Sequence, residues 1–253
     1  MSWASRRKAT YTIIFLFIAI SIAAFVIVSL FNKKPTCFDG IKNQNEQGVD
    51  CGGVCTILCR AEYVEPVVLW VRTARVLASG TYNVLAYAQN PNVGALARNV
   101  GYTFRVYDRE NILLYTRTGV TSIPPYNTFA VFDDNINVHD KIPARVTFEF
   151  LPGYQWERSA ALESGVSVKN IALTEETSAP KLFADLTNTT VGMIRNVESV
   201  AILYDSFDNA IAFSRTRTNS ILPGADERLI FTWPEALESK VFRTEIVSKV
   251  LPQ

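Results

Sequence analysis

From Tyr11 to Phe31 the chain carries no charged residue, and Thr12, Ser21 and Ser29 are the polar interruptions. As a helix rising about 1.5 Å per residue, this run is roughly 31 Å long, which matches a hydrocarbon core of about 30 Å. The sequence therefore predicts a membrane span at residues 11–31 and ties everything after Phe31 to a membrane surface. Arg6, Arg7 and Lys8 precede the run and Lys33 and Lys34 follow it, a balance that favours a cytoplasmic N-terminus, residues 1–10, by a small margin. Trp3, beside the basic residues, suits the membrane interface. Ser21, Ala23 and Ala24 offer the competing reading of a cleaved signal peptide. The apolar run, however, continues through Val28, Leu30 and Phe31, past the usual h-region of about 7–15 residues, and no A-x-A-like site follows. The expectation is an uncleaved signal anchor of the cell membrane, single-pass, with the C-terminal bulk extracytoplasmic.

The cysteines agree with that side. All four, Cys37, Cys51, Cys55 and Cys59, lie just beyond the run, and such a cluster belongs where thiols oxidise. Segment 37–59 has neither helical nor strand periodicity, and Gly40, Gly48, Gly52 and Gly53 supply turns, so it has no core of its own to bury. Two disulfides, each contributing about 2–4 kcal/mol, would offset that deficit. Sequence leaves all three pairings open. Zinc fits poorly, because the spacings are not C-x2-C pairs and no histidine is near. Calcium is a second option, with hard oxygen donors at Asp39, Asn43, Asn45, Glu46 and Asp50 around Gly48, although such residues also cap turns without a metal. Cys37, Asp39, Gly40, Asn43, Glu46, Gly48, Asp50, Cys51, Gly52, Gly53 and Cys55 stand in the register of a short Cys-rich module common in extracellular proteins, which the segment resembles. That resemblance implies an extracytoplasmic setting. The gap Thr56 to Leu58 before Cys59 is one residue longer than usual.

The remainder repeats. Val93-Gly94 lies over Val191-Gly192, and past a single-residue deletion Arg98-Asn99-Val100 lies over Arg195-Asn196-Val197 and Tyr107-Asp108 over Tyr204-Asp205. Asn90 and Asn188 precede the two copies, and Ile123-Pro124-Pro125 and Ile221-Leu222-Pro223 follow, so the chain reads as a duplication. Val100, Tyr102, Phe104 and Val106 alternate with Gly101, Thr103 and Arg105, as do Val146, Phe148 and Phe150 with polar neighbours, which is the period of a half-buried strand. Hairpins are expected from Val100 to Asp108 into Ile112 to Thr118, and from Val197 to Asp205 into Ile211 to Thr216. Further strands are expected at Phe129 to Phe132 and Arg228 to Phe231, after the loops that Pro124-Pro125 and Pro223-Gly224 mark. The fold class is all-β: two tandem immunoglobulin or fibronectin type III-like sandwiches at 63–152 and 165–250, joined by a packed hinge at 153–164 that holds Tyr154 and Trp156.

The strands ending Phe104-Arg105-Val106-Tyr107-Asp108 and Ala201-Ile202-Leu203-Tyr204-Asp205, each followed by a turn, resemble the FxLYD domain of extracytoplasmic bacterial and archaeal proteins. Val106 and Ala201 are the departures from the motif. The resemblance implies a sandwich and a location outside the cytoplasm, and it carries no catalytic activity with it.

Chemistry is sparse. His139 is the single histidine, set among Asp133, Asp134 and Asp140 in a loop; it suits a solvated turn better than a general base. No G-x-S-x-G, P-loop or G-x-G-x-x-G occurs, so no catalytic residue is assigned. The net charge of +1 offers no field for nucleic acid. Asn90, Asn188, Asp108 and Asp205 recur as turn-forming residues. Asn188-Thr189-Thr190 is a formal glycosylation sequon. Trp70, Trp156 and Trp233 suit sandwich cores better than a surface patch. The expected function is that of a non-catalytic, membrane-anchored interaction or structural protein of the envelope, in a surface, pilus or secretion assembly, with a protein partner and no cofactor. The alternative is a calcium- or small-ligand-binding surface protein.

Overall fold

A computed structural model of the chain describes residues 3–31, 36–125, 127–159, 165–174 and 178–251. It divides into two compact units, Met1–Cys55 and Thr56–Gln253.

The first unit holds helix α1, Trp3–Phe31. Within it Arg7–Ile27 is long and apolar enough to cross a membrane. Phe15, Phe17, Ile18, Ile20, Ile22 and Phe25 are all exposed, so the helix presents apolar side chains around its whole circumference. The Arg7 guanidinium sits 4.0 Å over the Trp3 ring one turn away. Lys33 and Lys34, which bear on orientation, lie outside the described residues. The same unit contains the start of the cysteine segment, which forms turns without a sheet, as its composition predicts.

The second unit is all-β, as expected. A short 3-10 turn, Arg60–Glu62, leads into β1 Val67–Leu77, β2 Thr81–Asn90, β3 Ala95–Tyr107, β4 Leu113–Ile123, β5 Asn127–Asn137, β6 Arg145–Phe150 and β7 Trp156–Arg158. Sheet β1-β2-β5 faces sheet β4-β3-β6, and β7 continues along β3 beyond β6. Then come β8 Val166–Thr174, β9 Lys181–Asn188, β10 Ile194–Tyr204, β11 Ala210–Ile221, β12 Asp226–Thr232 and β13 Arg243–Val250. They form β8-β9-β12 and β11-β10-β13, the strand order of the first sandwich again, with every pairing antiparallel. The strands run longer than the apolar alternation marks: β5 extends to Asn137, past Phe132. Its polar end still pairs with Tyr82 and Thr81 across a bulge.

The alternating residues of β3 do point inward. Val100, Tyr102, Phe104 and Val106 pack with Val84, Ala86, Phe129 and Val131 in the first core. Leu182, Leu186, Val197, Leu203, Leu229 and Phe231 form the second. Trp156 is fully buried in the first core, stacked 5.2 Å from Tyr63, and Trp233 is buried in the second with Nε1 donating to the Phe213 carbonyl. Of the segment 153–164, Trp156–Arg158 is thus a strand of the first sandwich, and 160–164 lie outside the described residues. Strand β7 also takes residues 56–58 alongside it, through Arg158 N–H to the Thr56 carbonyl and Leu58 N–H to the Trp156 carbonyl.

The corresponding turn residues make analogous bonds in the two sandwiches. Asp108 Oδ1 accepts the Ile112 N–H, and Asp205 Oδ1 accepts those of Phe207 and Asn209. The side-chain amide of Asn90 donates to the carbonyls of Ala95 and Pro124, and that of Asn188 to Gly192 and Ile221. Both asparagines are completely buried and staple two loops to a strand end.

Candidate functional site

Strand β10 does not alternate. Every residue from Val197 to Tyr204 is buried, so both faces of its sheet are covered. Val197, Ala201 and Leu203 belong to the second core. Val200, Ile202 and Tyr204 point the other way and, with Phe213 of β11 and Val247 of β13, meet Ala74, Leu85, Ala130 and Phe132 of the first sandwich in a third apolar cluster. The outer face of β1-β2-β5 is packed against the outer face of β11-β10-β13. The two sandwiches therefore share a core.

One end of this junction is aromatic. Trp70 stacks on Tyr87 at 5.1 Å and meets Tyr204 edge-on. Trp70 thus serves the junction rather than either sandwich core, which single-strand periodicity does not reveal. The hydroxyls of Tyr87 and Tyr204 both donate to Glu245, at 2.6 and 2.9 Å. Burial, and then that carboxylate, push the Tyr87 hydroxyl up to about 12. Arg243 covers the Tyr204 ring at 3.6 Å and bonds Asp208 and Glu245. Further bonds cross nearby, from Asn83 to the Phe213 carbonyl and from Arg75 to Glu238.

The other end is charged and surrounds a cleft of about 390 Å³. Lys249, only 3% exposed, spends its three protons on Thr121 Oγ1 at 2.8 Å, the Ala130 carbonyl at 3.0 Å and Glu198 Oε1 at 3.2 Å. Glu198 takes two further bonds from Arg217, at 3.0 and 2.7 Å. Arg215 reaches across to the Phe132 carbonyl and to Asp134. Tyr102 donates to Asp133 at 2.7 Å. Burial alone would raise the Glu198 carboxyl, but Lys249, Arg217 and Arg215 outweigh it and hold it below the usual range. Burial pushes the Lys249 ammonium down against the pull of Glu198, and it pushes the Asp133 carboxyl up. The Ser122 hydroxyl, at the cleft wall, is buried without a partner among the described residues.

Corresponding ladder positions of the two sandwiches show how sequence selects the packed faces. Val200, Ile202, Phe213 and Val247 occupy the ladder positions that Thr103, Arg105, Thr116 and Glu149 hold in the first sandwich. There Thr103 is buried but Thr116 and Glu149 are exposed, and Arg105 pairs with Glu149 at 2.7 Å. Conversely, Leu85, Tyr87, Ala130 and Phe132 of the packed face correspond to Phe183, Asp185, Arg228 and Ile230, where Arg228 bonds Asp185 at 2.8 Å and lies over Phe183.

The cysteine segment is held by its acidic residues. Cys37 is bonded to Cys55, and Cys51 and Cys59 are also in disulfides. Asp50 accepts the N–H groups of Asp39 and Gly40, and Asp39 accepts those of Thr36 and Ile41 and the amide of Asn43. The Thr36 N–H first, then Asn43, keep the Asp39 carboxyl below its usual range. Glu46, 5% exposed, accepts the N–H groups of Asn43 and Asp50. Its other oxygen lies 3.2 Å from the Cys55 sulfur, which is oxidised and has no proton to give. Asn45 takes a left-handed backbone, and its carbonyl fills the space where a Cβ on Gly53 would sit. Of the five donors singled out for calcium, Asp39, Asn43, Glu46 and Asp50 are thus brought together, with the carboxylates engaged by backbone N–H groups, and Asn45 enters through its backbone carbonyl against Gly53. Cys37, Glu46 and Cys55 also converge, but the sulfurs are joined to each other and offer no thiolate. His139 is exposed with φ 56°, its N–H bonded to Asn137, at a turn packed on Gly80.

No family model and no curated protein matches the chain. Among solved structures it is similar to red sea bream transglutaminase, at 10% identity and a TM-score of 0.26 over 76% of this chain and 32% of that one. It is also similar to a β-glucuronidase of glycoside hydrolase family 2, at 11% identity and a TM-score of 0.20 over 88% of this chain and 26% of that one. The chain spans about a third and a quarter of their lengths.

Proposed function

We propose that this is a single-pass, membrane-anchored envelope protein that holds a stiff pair of duplicated, FxLYD-type sandwiches on the extracytoplasmic side, where they bind a protein partner without catalysis. The observation that carries the reading is the shared core between the sandwiches, which makes the pair one rigid body suited to presenting fixed edges and loops. The all-round apolar helix supports anchoring, and the oxidised cysteines support the extracytoplasmic side. The solvated faces carry paired charges, so the contact surface is left to strand edges and loop ends, where an extended segment of a partner adds as a further strand. The test is cross-linking in intact membranes under oxidising conditions, followed by capture of the full chain. A discrete protein cross-linked through the sandwiches is the expected result; capture of the chain alone, or labelling of its cysteine segment from the cytosolic side, overturns the reading.

A further inference from the structure

We propose that the charged cleft between the two sandwiches is a carboxylate-binding site. Its lining holds Arg215, Arg217 and Lys249 against Glu198 and Asp133, and with the outer partners Asp134 of Arg215 and Arg117 of Asp133 included, one positive charge is in excess. The protons of Lys249 are fully used, and those of Arg215 bond Phe132 and Asp134. Arg217 commits Nε and Nη2 to Glu198, and its Nη1 has no partner among the described residues. Its side chain is 60% exposed and so is open to an incoming group. On the wall of the same cleft the Ser122 hydroxyl, with the residue 6% exposed, has no partner among the described residues.

A buried hydroxyl without a partner is a standing vacancy for an acceptor, and an arginine with a spare N–H at a cleft is the usual recogniser of an oxyanion. A carboxylate supplies two acceptor oxygens and one negative charge. That suits the Ser122 hydroxyl, the spare N–H groups of Arg217 and the single excess positive charge. An ammonium ligand would add to the excess of positive charge, and a doubly charged sulfate would overshoot it beside Glu198 and Asp133. The same chemistry is carried by a free small carboxylate or by the chain end of a protein partner. The inference stands apart from the partner reading above, since saturation by a small anion is independent of any captured protein.

The test is calorimetric titration of the full chain in nanodiscs with acetate, with a short peptide that has a free C-terminal carboxylate and no acidic side chain, and with its C-amidated form. Saturable acetate binding is expected, weakened at least five-fold by Arg217→Gln and by Ser122→Ala, with each variant titrated well below its own melting temperature. Tighter binding by the free-ended peptide, lost on amidation, assigns a protein chain end as the source; binding by acetate alone assigns a small molecule. Absence of saturation by both acetate and peptide, or affinities untouched by either substitution, overturns the proposal.

Discussion

Replacing Ile202 by arginine tests the shared core directly, because it installs the residue that the first sandwich carries at the equivalent position, Arg105. There the guanidinium is half-exposed and paired with Glu149. At position 202 the side chain is fully buried among Phe213, Val247 and the first sandwich. Losing the isoleucine burial costs about 1.5–3 kcal/mol, and enclosing an unpaired guanidinium costs several kcal/mol more. Its cross-strand neighbour Glu245 is already bonded to Tyr87, Tyr204 and Arg243, so it offers little relief. We expect a loss of at least about 4 kcal/mol, enough to part the sandwiches rather than bury the charge. Urea unfolding of the full chain in detergent, followed by tryptophan fluorescence, reads this out. Trp70 sits at the junction, and Trp156 and Trp233 sit in the separate cores. The variant should lose the Trp70 signal first and then unfold its cores, where the parent shows one transition. Leu203→Ala, one residue along but facing the second core, should instead destabilise that core with the junction signal following it. If Ile202→Arg unfolds within about 0.5 kcal/mol of the parent, as an exposed substitution would, the shared core is wrong.

Four further outcomes follow from particular contacts. Asn188 is fully buried with its amide committed to two carbonyls, so the folded chain should stay unmodified at its sequon in a glycosylating host, read as no glycosidase-sensitive gel shift. Asn188→Ala should cost about 1–3 kcal/mol in unfolding experiments by stranding the Gly192 and Ile221 carbonyls. The folded pKa of Glu198 is depressed, so the unfolded chain binds the extra proton first: its stabilisation is present above the ordinary value of 4.5 and is lost as pH falls through the lower folded value. Urea midpoints of the parent should accordingly fall more steeply in that window than those of Glu198→Gln; parallel slopes would refute the linkage. Asp50→Ala strands the N–H groups of Asp39 and Gly40, and reductant should open Cys37–Cys55 faster in that variant when followed by thiol alkylation.

The sandwiches were legible because each copy carries turn residues between apolar runs, and because Val100 to Val106 alternates as a strand with one wet face must. The junction was carried by a weaker sign. Val200-Ala201-Ile202-Leu203-Tyr204 breaks the alternation that its counterpart Thr103-Phe104-Arg105-Val106-Tyr107 keeps, and an unbroken apolar run in one copy of a repeat marks a face covered from both sides. Lys249 gave no sign at all. On β13 it shares an outer face with Glu245 and Val247, and a lysine there reads as solvated until the first sandwich closes over it. The candidate calcium donors at Asp39, Asn43, Asn45, Glu46 and Asp50 were visible as a group, but sequence spacing does not say whether oxygens face a metal or the chain's own amides. That is decided by backbone geometry such as the left-handed Gln44, Asn45 and Asp50.

Broadside packing of one module onto the unlike side of the next is an open-ended contact: identical modules stacked this way would keep adding neighbours into a fibre. Here the two outer sides of the pair carry ion pairs, Arg105–Glu149 on one and Asp185–Arg228 on the other, where the joined sides carry valine, isoleucine and phenylalanine. A further sandwich laid on either of those sides would have to bury an ion pair, so the apolar contact is confined to the joint between these two.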